Sequence, residues 1–256
     1  MVNSCRGRNP MHPLWRGVLD LLYPPRCEAC GRLRANLICP ECLAAVERIR
    51  PPVCEVCGVP FDPGAQSAPR CADCRGKRRS FSVARSATYY SGPLVEAIRR
   101  FKYHCQMALW RPLGGLMVEA LEDGAGAVEP ETVDVVCAVP LHEARLRERG
   151  FNQSELLAEV VAEGMGKPLR RLLDRTRPTL PQVDLPAESR VTNVRGAFQA
   201  DLHEVIQGQT VLLIDDLFTT GATMMECARV LKRAEAQEVR VLTLARPLPR
   251  WRVGVH

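Results

Sequence analysis

One run near the end of the chain, residues 211–223, constrains the fold more than any other part of the sequence. It begins with four consecutive apolar residues, which are typical of a strand buried on both faces of a parallel sheet. Asp215 and Asp216 follow at the predicted carboxyl edge of that sheet, where open α/β sheets bind their ligands. The run therefore predicts an α/β fold with a ligand site at this strand end.

A hydroxyl-rich turn comes directly after the two acids and leads into a predicted helix, residues 222–234. The first turn of a helix offers N–H groups and the positive end of the helix dipole, so a phosphate binds well there. The acids would repel a phosphate, but they suit the hydroxyls of a sugar, or Mg²⁺ held through water. The simpler alternative is a turn whose threonines only cap the helix. The turn consists of Thr219, Thr220, Gly221, Ala222 and Thr223.

This segment resembles the phosphoribosyl pyrophosphate (PRPP) motif of type I phosphoribosyltransferases, which runs from an apolar strand through two acids to a Thr-Thr-Gly-x-Thr turn. The resemblance implies that Asp215 and Asp216 contact the ribose hydroxyls. It also implies that residues 219–223 surround the 5′-phosphate and that PRPP binds together with Mg²⁺. A motif of this length is more specific than a single glycine-rich loop.

Eight of the twelve cysteines form four C-x-x-C pairs in the first third of the chain. The pairs form an internal repeat, in which each copy begins with Cys-Glu-x-Cys-Gly and ends with a second pair. Two thiolates of such a knuckle can face one ion, and two knuckles complete a tetrahedral zinc site. The repeat predicts two structural zinc sites. The expected ligands are Cys27, Cys30, Cys39 and Cys42 in the first ribbon and Cys54, Cys57, Cys71 and Cys74 in the second.

Spacing alone leaves the pairing of these ligands open, because a cross-braced arrangement of the four pairs uses the same cysteines. Disulfides are a competing interpretation, but they need an oxidising compartment, and the sequence shows no recognisable secretory signal. A thioredoxin-like redox site normally has one C-x-x-C beside a βαβ unit, rather than four. We therefore expect zinc, and we expect its loss to unfold the ribbons while sparing the larger domain.

Composition indicates a cytoplasmic protein of two parts. With 46% hydrophobic and 25% charged residues, the chain can bury a full domain core beside a smaller module. Its net charge of +6 favours anionic partners, and no apolar run is long enough to span a bilayer. We expect an N-terminal helical segment at 1–24, a double zinc ribbon at 25–79 and a phosphoribosyltransferase-like domain at 80–250.

Segments with strand and helix character alternate after residue 80, which predicts a parallel sheet flanked by helices. The expected strands are 81–90, 133–139, 211–214 and 239–244, and the expected helices are 93–101, 109–121, 156–165 and 222–234.

The loop after the second predicted strand, residues 140–153, also begins at a carboxyl strand end and can face the same crevice. Its Arg145, Arg147 and Arg149 supply the permanent charge and paired donors that suit a pyrophosphate group. The alternative is a solvated helix in which Glu143 pairs with Arg147.

The order of these features is similar to that of the ComF family, a group of bacterial competence-associated proteins that resemble phosphoribosyltransferases. The resemblance covers most of the chain, including a Gln…Arg…Asn-x-x-Gly-Ala-Phe stretch at 182–198 that we expect to form a mobile flap. It implies a role in natural transformation, with single-stranded DNA and DNA-uptake proteins as partners. One departure is at 101–105. Relatives often carry a glycine after the basic aromatic pair in this segment, whereas this sequence has His104 and Cys105 there. This leaves the role of Lys102 open.

Two functions follow from these patterns. In a phosphoribosyltransferase, Asp215 and Asp216 would hold the ribose while Arg147, Arg149 and Mg²⁺ stabilise the departing pyrophosphate. The sequence carries no signature for the acceptor. The alternative is a catalytically inactive adaptor that binds nucleic acid through its zinc ribbons and phosphate pocket, although the 5% aromatic content argues against a broad base-stacking platform.

Overall fold

The computed structural model describes residues 24–62, 64, 69–123, 128–179, 186–201 and 203–253. The expected N-terminal helical segment lies outside these residues except for Pro24, and so does Gln182 at the start of the expected flap.

A four-stranded parallel sheet forms the centre of the molecule, in the order β1-β6-β5-β2. A parallel bridge between Val136 and Leu169 adds a short segment beside β2. This arrangement confirms the predicted parallel sheet flanked by helices. The strands are β1 Val83–Tyr89, β2 Val135–Ala138, β3 Leu173–Arg175, β4 Phe198–Ala200, β5 Thr210–Leu217 and β6 Glu238–Arg246.

Eight α-helices lie within the described residues, and short 3₁₀ turns precede α3 and β2. The longer ones begin and end within a few residues of the bounds expected from hydrophobic periodicity. The helices are α1 Pro40–Ala44, α2 Pro93–Tyr103, α3 Trp110–Glu122, α4 Glu143–Arg149, α5 Gln153–Met165, α6 Ala187–Val194, α7 Ala222–Arg233 and α8 Arg250–Val253.

The sheet separates two hydrophobic cores, because alternate residues of β5 point to opposite faces. Leu212 and Ile214 pack with α2, α3 and α5 on one face. Val211 and Leu213 pack with α7 and β4 on the other. Strand β5 is thus buried on both sides, as its apolar run predicts.

The cysteine-rich region covers the outer edge of β1. Ile49 N–H donates to Ala87 O at 3.0 Å, and Tyr89 N–H donates to Glu47 O at 2.9 Å. Further along the strand, Ala84 N–H donates to Val56 O at 2.7 Å. An uncovered edge strand offers unpaired backbone groups to other chains, so these bonds protect the sheet.

Among the residues that the structure describes, every helix is too short or too polar to cross a lipid bilayer.

Candidate functional site

The two acids of the 211–223 run lie inside β5, which continues to Leu217. The sequence places them just after the strand, whereas the backbone pairing with β6 includes Asp215 and extends to Leu217. Consecutive residues of a strand point to opposite faces, so the acids have different neighbours. Asp216 is 4% exposed and Asp215 is half-buried at the end of the sheet.

Asp216 forms a buried ion pair with Lys102 at the end of α2. The Lys102 side chain is 13% exposed, and α2 places it there because its apolar face, Leu94, Ala97, Ile98 and Phe101, packs against the sheet. Burial lowers the pKa of the Lys102 ammonium to about 8, while the nearby Asp215 carboxylate acts in the opposite direction. The structure therefore gives Lys102 a position in the site, which the sequence left open.

Asp215 accepts a hydrogen bond from Ser154 Oγ at 2.6 Å. Asn152 fixes this serine at the start of α5: its Oδ1 accepts from Ser154 N–H at 3.1 Å and its Nδ2 donates to Val139 O at 3.1 Å. Burial raises the pKa of Asp215, and the Ser154 hydroxyl and the neighbouring cations oppose that shift.

The charges of Lys102, Arg175 and Arg149 act on Asp215 and oppose the rise of its pKa. Arg149 donates to Gln153 Oε1, and its guanidinium lies 5.2 Å from the centre of the Tyr103 ring. Arg175, on β3, lies 5.2 Å from the ring of Phe198. Burial lowers the pKa of both arginines. Several cationic side chains beside a half-buried carboxylate are suited to an anionic ligand with several charges.

The hydroxyl-rich turn forms the start of α7, as predicted. Gly221 is the N-cap, with φ of +77° and a left-handed backbone. A Cβ atom at this position would lie 2.6 Å from Cζ of Phe218, so the turn needs glycine for both backbone geometry and space. The Ala222 N–H donates to Thr220 Oγ1 at 3.4 Å. The amino end of α7 thereby lies directly after the two acids.

The arginines of the 140–153 loop separate into two groups. The loop forms α4, where Arg147 pairs with Glu143 at 3.1 Å with side chains 72% and 81% exposed. Arg145 pairs with Glu148 at 2.8 Å. Of these three arginines, Arg149 acts most strongly on Asp215. Arg147 therefore matches the alternative interpretation of a solvated helix, in which it pairs with Glu143. Arg149 lies at the candidate site.

The described part of the expected flap is α6 and the turn after it. Gly196 N–H donates to Glu226 Oε1 of α7 at 2.7 Å, and Glu226 also accepts two hydrogen bonds from Arg229. Arg177 donates to the carbonyls of Asn193 and Arg195 at 3.0 and 2.9 Å. The segment is therefore tied to the helix whose amino end follows the acids.

The eight paired cysteines form two clusters, and in each the four sulfur atoms lie within 4.8 Å of one another. The clusters follow chain order and so exclude the cross-braced alternative. Cluster 1 contains Cys27, Cys30, Cys39 and Cys42, and cluster 2 contains Cys54, Cys57, Cys71 and Cys74.

The sulfur separations in both clusters are compatible with a tetrahedral zinc site. A zinc–sulfur bond length near 2.3 Å separates sulfur atoms by about 3.8 Å. The Cys30–Cys39 and Cys57–Cys71 sulfur pairs are 3.9 and 3.6 Å apart. Arg32 Nε donates to Cys30 Sγ at 3.3 Å, and this contact lowers the pKa of the Cys30 thiol to about 6. A lowered pKa favours the thiolate that zinc requires.

Ser154 and Arg175 are site residues that the sequence analysis missed. Ser154 stands one residue beyond the loop chosen for its arginines, although Asn152 before it is a typical helix cap. Arg175 lies on a three-residue strand, which is too short to show a period. Long-range packing, rather than any local pattern, brings both to Asp215.

Two family models match the chain. A double zinc ribbon domain matches residues 18–75, and a phosphoribosyl transferase domain matches residues 154–253. The first contains all eight paired cysteines, and the second contains β5 and α7.

Curated relatives match most of the chain. Competence protein F of Haemophilus influenzae is 29% identical over 226 residues, covering 86% of this chain and 96% of the relative. The DNA utilization protein YhgH of Salmonella typhimurium is 31% identical over 212 residues, covering 82% and 91%. Competence protein ComFC of Bacillus subtilis is 27% identical over 216 residues, covering 82% and 84%.

Among solved structures, the glutamine PRPP amidotransferase from B. subtilis is 27% identical with a TM-score of 0.35, covering 52% of this chain and 25% of that chain.

Proposed function

Since the chain belongs to the ComF family of proteins with a double zinc ribbon and a phosphoribosyltransferase domain, we propose that it binds PRPP with Mg²⁺ and acts in the handling of incoming DNA. The observation that carries the proposal is the strand β5, which carries two acids near its carboxyl end and leads through the hydroxyl-rich turn to the amino end of α7. The names of the relatives, which refer to competence and DNA utilization, support the cellular role.

Each part of PRPP has a matching group in this site. The 5′-phosphate binds at residues 219–223, where the N–H groups of α7 begin. Asp215 and Asp216 accept hydrogen bonds from the ribose hydroxyls. The pyrophosphate lies near the cations around Asp215, whose charges stabilise it as it leaves.

Carboxylate oxygens are also the ligands that suit a hard cation such as Mg²⁺, which Asp215 or Asp216 would hold directly or through water, and the charge of the ion would neutralise part of the pyrophosphate. The protein's own part in phosphoribosyl transfer is to hold the ribose ring in place and to surround the leaving group with fixed positive charge. Asp216 keeps free acceptor lone pairs beside its ion pair with Lys102, so it can accept a ribose hydroxyl while the Lys102 ammonium stays at the site.

Calorimetry with PRPP and Mg²⁺ tests the proposal. We expect wild-type binding, weaker binding of ribose 5-phosphate, and losses of about 1 to 3 kcal/mol for Asp215→Asn and for Asp216→Asn. Asp123→Asn is the matched control, because that side chain is 56% exposed and pairs with Arg50. Unchanged affinity in the double asparagine variant, or absence of wild-type binding, contradicts the proposal. Release of pyrophosphate with candidate acceptors then distinguishes an enzyme from a binding protein.

The second candidate is an adaptor that binds nucleic acid. Its specific support is the exposed basic segment with Arg75, Lys77 and Arg78, which follows the last ligand of cluster 2. Salt-dependent binding of single-stranded DNA that is lost when these three residues become glutamine, without turnover of PRPP, would favour this candidate. Both candidates place the protein in the cytoplasm, where thiolates remain reduced.

A further inference from the structure

Cluster 2 lies against the sheet that carries the site. Gly58, directly after its ligand Cys57, has φ of +65°, and a Cβ there would lie 2.5 Å from Ala84 O of β1. Ala84 N–H also donates to Val56 O at 2.7 Å. Cys54, Cys57 and Cys74 belong to the same hydrophobic core as α7. The second ribbon is thus in backbone contact with the sheet.

Two arginines of the sheet, one buried and one half-buried, face this ribbon. Arg246, at the end of β6, is 6% exposed and donates through Nη1 to Cys57 O at 2.9 Å. Arg85, on β1, donates through Nη1 to Glu55 O at 3.1 Å. A zinc ion with four thiolates carries two net negative charges, which the two guanidinium groups balance. A buried arginine is costly unless such a partner compensates it.

Arg246 also reaches the phosphate turn through Phe218. Its guanidinium lies 5.2 Å from the centre of the Phe218 ring, and this ring is the group that excludes a Cβ at Gly221. Phe218 is 4% exposed and packs edge-on against Phe81 at 6.2 Å. A continuous series of contacts therefore connects cluster 2 with Gly221: Cys57 contacts Arg246, Arg246 contacts Phe218, and Phe218 lies beside Gly221.

We propose that Arg246 is a positioning residue that transmits the occupancy of cluster 2 to the phosphate turn, so that zinc in this cluster sets the affinity of the site for a phosphorylated sugar. The affinity part rests on the proposed function. The structural part does not, because it concerns only the order of residues 217–223. A packing role for Arg246 could be filled by an apolar side chain, whereas positioning by charge needs the cation that faces Cys57 O.

The test compares Arg246→Met with Arg246→Lys and with the control Arg240→Met. Arg240 lies on the same strand six residues earlier and pairs with Glu238 at the other end of the sheet. Three quantities are measured in each protein: zinc content by elemental analysis, hydrogen exchange of residues 217–223, and affinity for PRPP with Mg²⁺ by calorimetry.

We expect Arg246→Met to exchange faster at 217–223 and to bind PRPP about tenfold more weakly. Arg246→Lys should recover part of both effects, and Arg240→Met should match the wild type. Selective removal of the second zinc from the wild type should give the same faster exchange. Should Arg246→Met fail to fold, Phe218→Leu breaks the same path and carries the same expectation.

Wild-type exchange at 217–223 in Arg246→Met or Phe218→Leu, or after removal of the second zinc, would overturn the inference. Absence of PRPP binding by the wild type would instead reject the proposed function, and the exchange measurements would still decide the inference.

Discussion

Asp215 and Asp216 are neighbours in sequence but have different partners. Asp216 faces the α2 side of the sheet and pairs with Lys102. Asp215 accepts from Ser154 and is surrounded by cations. Because each acid is compensated in a different way, we expect their substitutions to differ in effect: loss of the Asp216 charge leaves a buried lysine without its partner.

Arg149 and Arg147 give a matched pair for testing the pyrophosphate site. Both lie on α4, but only Arg149 is among the cations near Asp215, while Arg147 pairs with Glu143 in solvent. We expect Arg149→Ala to weaken PRPP binding by about tenfold or more, and Arg147→Ala to leave it almost unchanged. Calorimetry measures both. Equal losses, or a loss for Arg147→Ala alone, would contradict the assignment of the pyrophosphate to Arg149.

Lys102 predicts a pH dependence of ligand binding. Its pKa is lowered to about 8, and only the charged ammonium attracts pyrophosphate. PRPP affinity should therefore be constant below this pH and decline above it. Lys102→Arg keeps its charge throughout and should give a flat profile. Calorimetry between roughly pH 7 and pH 9.5 measures this. Identical profiles for the two proteins would contradict it.

The same group predicts the opposite trend for stability. The folded pKa of about 8 lies below the ordinary value of 10.5, so the unfolded chain binds more protons between these values. The contribution of Lys102 to the free energy of unfolding should consequently rise with pH across this window. Urea unfolding of the wild type and of Lys102→Met at several pH values measures this, because the difference between the two proteins isolates the contribution of Lys102.

At the scale of elements, the junction between β5 and α7 depends on a single glycine. The left-handed backbone of Gly221 turns the chain from strand to helix, and Phe218 fills the space beside it. The sequence predicts this turn because strand, acids and threonines lie in one continuous segment. It does not reveal that an aromatic ring, rather than the ligand alone, limits the size of the residue there.

Gly221→Ala should destabilise the protein by about 1 to 3 kcal/mol, since it adds a left-handed non-glycine residue and a close contact with Phe218. Gly115→Ala in α3 is the control, because a Cβ there meets no atom within 4 Å. It should stabilise by about 0.5 to 1 kcal/mol. Denaturant unfolding measures the change in the free energy of unfolding for both variants. If Gly221→Ala leaves it unchanged, the turn accommodates a side chain and the prediction is wrong. Gly221→Val should be worse still.

The contact between α6 and α7 should respond to acid. Arg229 holds the pKa of Glu226 below its ordinary value of 4.5, with the Gly196 N–H assisting. This carboxylate therefore stabilises the fold above about pH 4.5, and its contribution is lost as pH falls through the lower folded pKa. Glu226→Gln should cost about 2 kcal/mol at neutral pH and show a smaller decline in acid. If the wild type and Glu226→Gln lose unfolding free energy equally in acid, Glu226 is not the group responsible.

Local patterns predict the main sheet and its long helices but not the smaller elements. β5 and β2 carry apolar runs, and α2 carries a clear amphipathic face. β3 and β4 have three residues each, which is too few for a pattern. Their antiparallel pairing brings Arg175 to the site. The sequence therefore indicates the acids and the turn of the candidate site, which stay a prediction, but it does not indicate Arg175.

In the whole molecule, the ribbons and the sheet share both hydrophobic cores. Cluster 1 cysteines pack with α2 and α3, and cluster 2 cysteines pack with α7. Glu28, inside the first knuckle, also pairs with Arg100 of α2 at 2.8 Å. These contacts argue against the expectation that the larger domain is spared when zinc is lost. Cysteine spacing predicts the ligands, but it carries no information on where the ribbons dock.

We expect two zinc ions per chain, measured by elemental analysis of protein purified under reducing conditions. Removing both should lower the thermal midpoint of the whole protein in one transition, because each ribbon belongs to a core of the sheet. Scanning calorimetry with and without chelator checks this. One zinc or none would contradict the two-site assignment, and a separate, unshifted transition of the larger domain would restore the original expectation.

The strand order also fixes when the molecule can be completed during synthesis. β1 is made early, but its neighbour within the sheet is β6, the last of the described strands to be synthesised. Until then, the hydrogen bonds of β1 that can form are those to residues 47–49 and to Val56, which are made before it. During synthesis the ribbon residues are therefore available to one edge of β1 before β6 is available to the other edge.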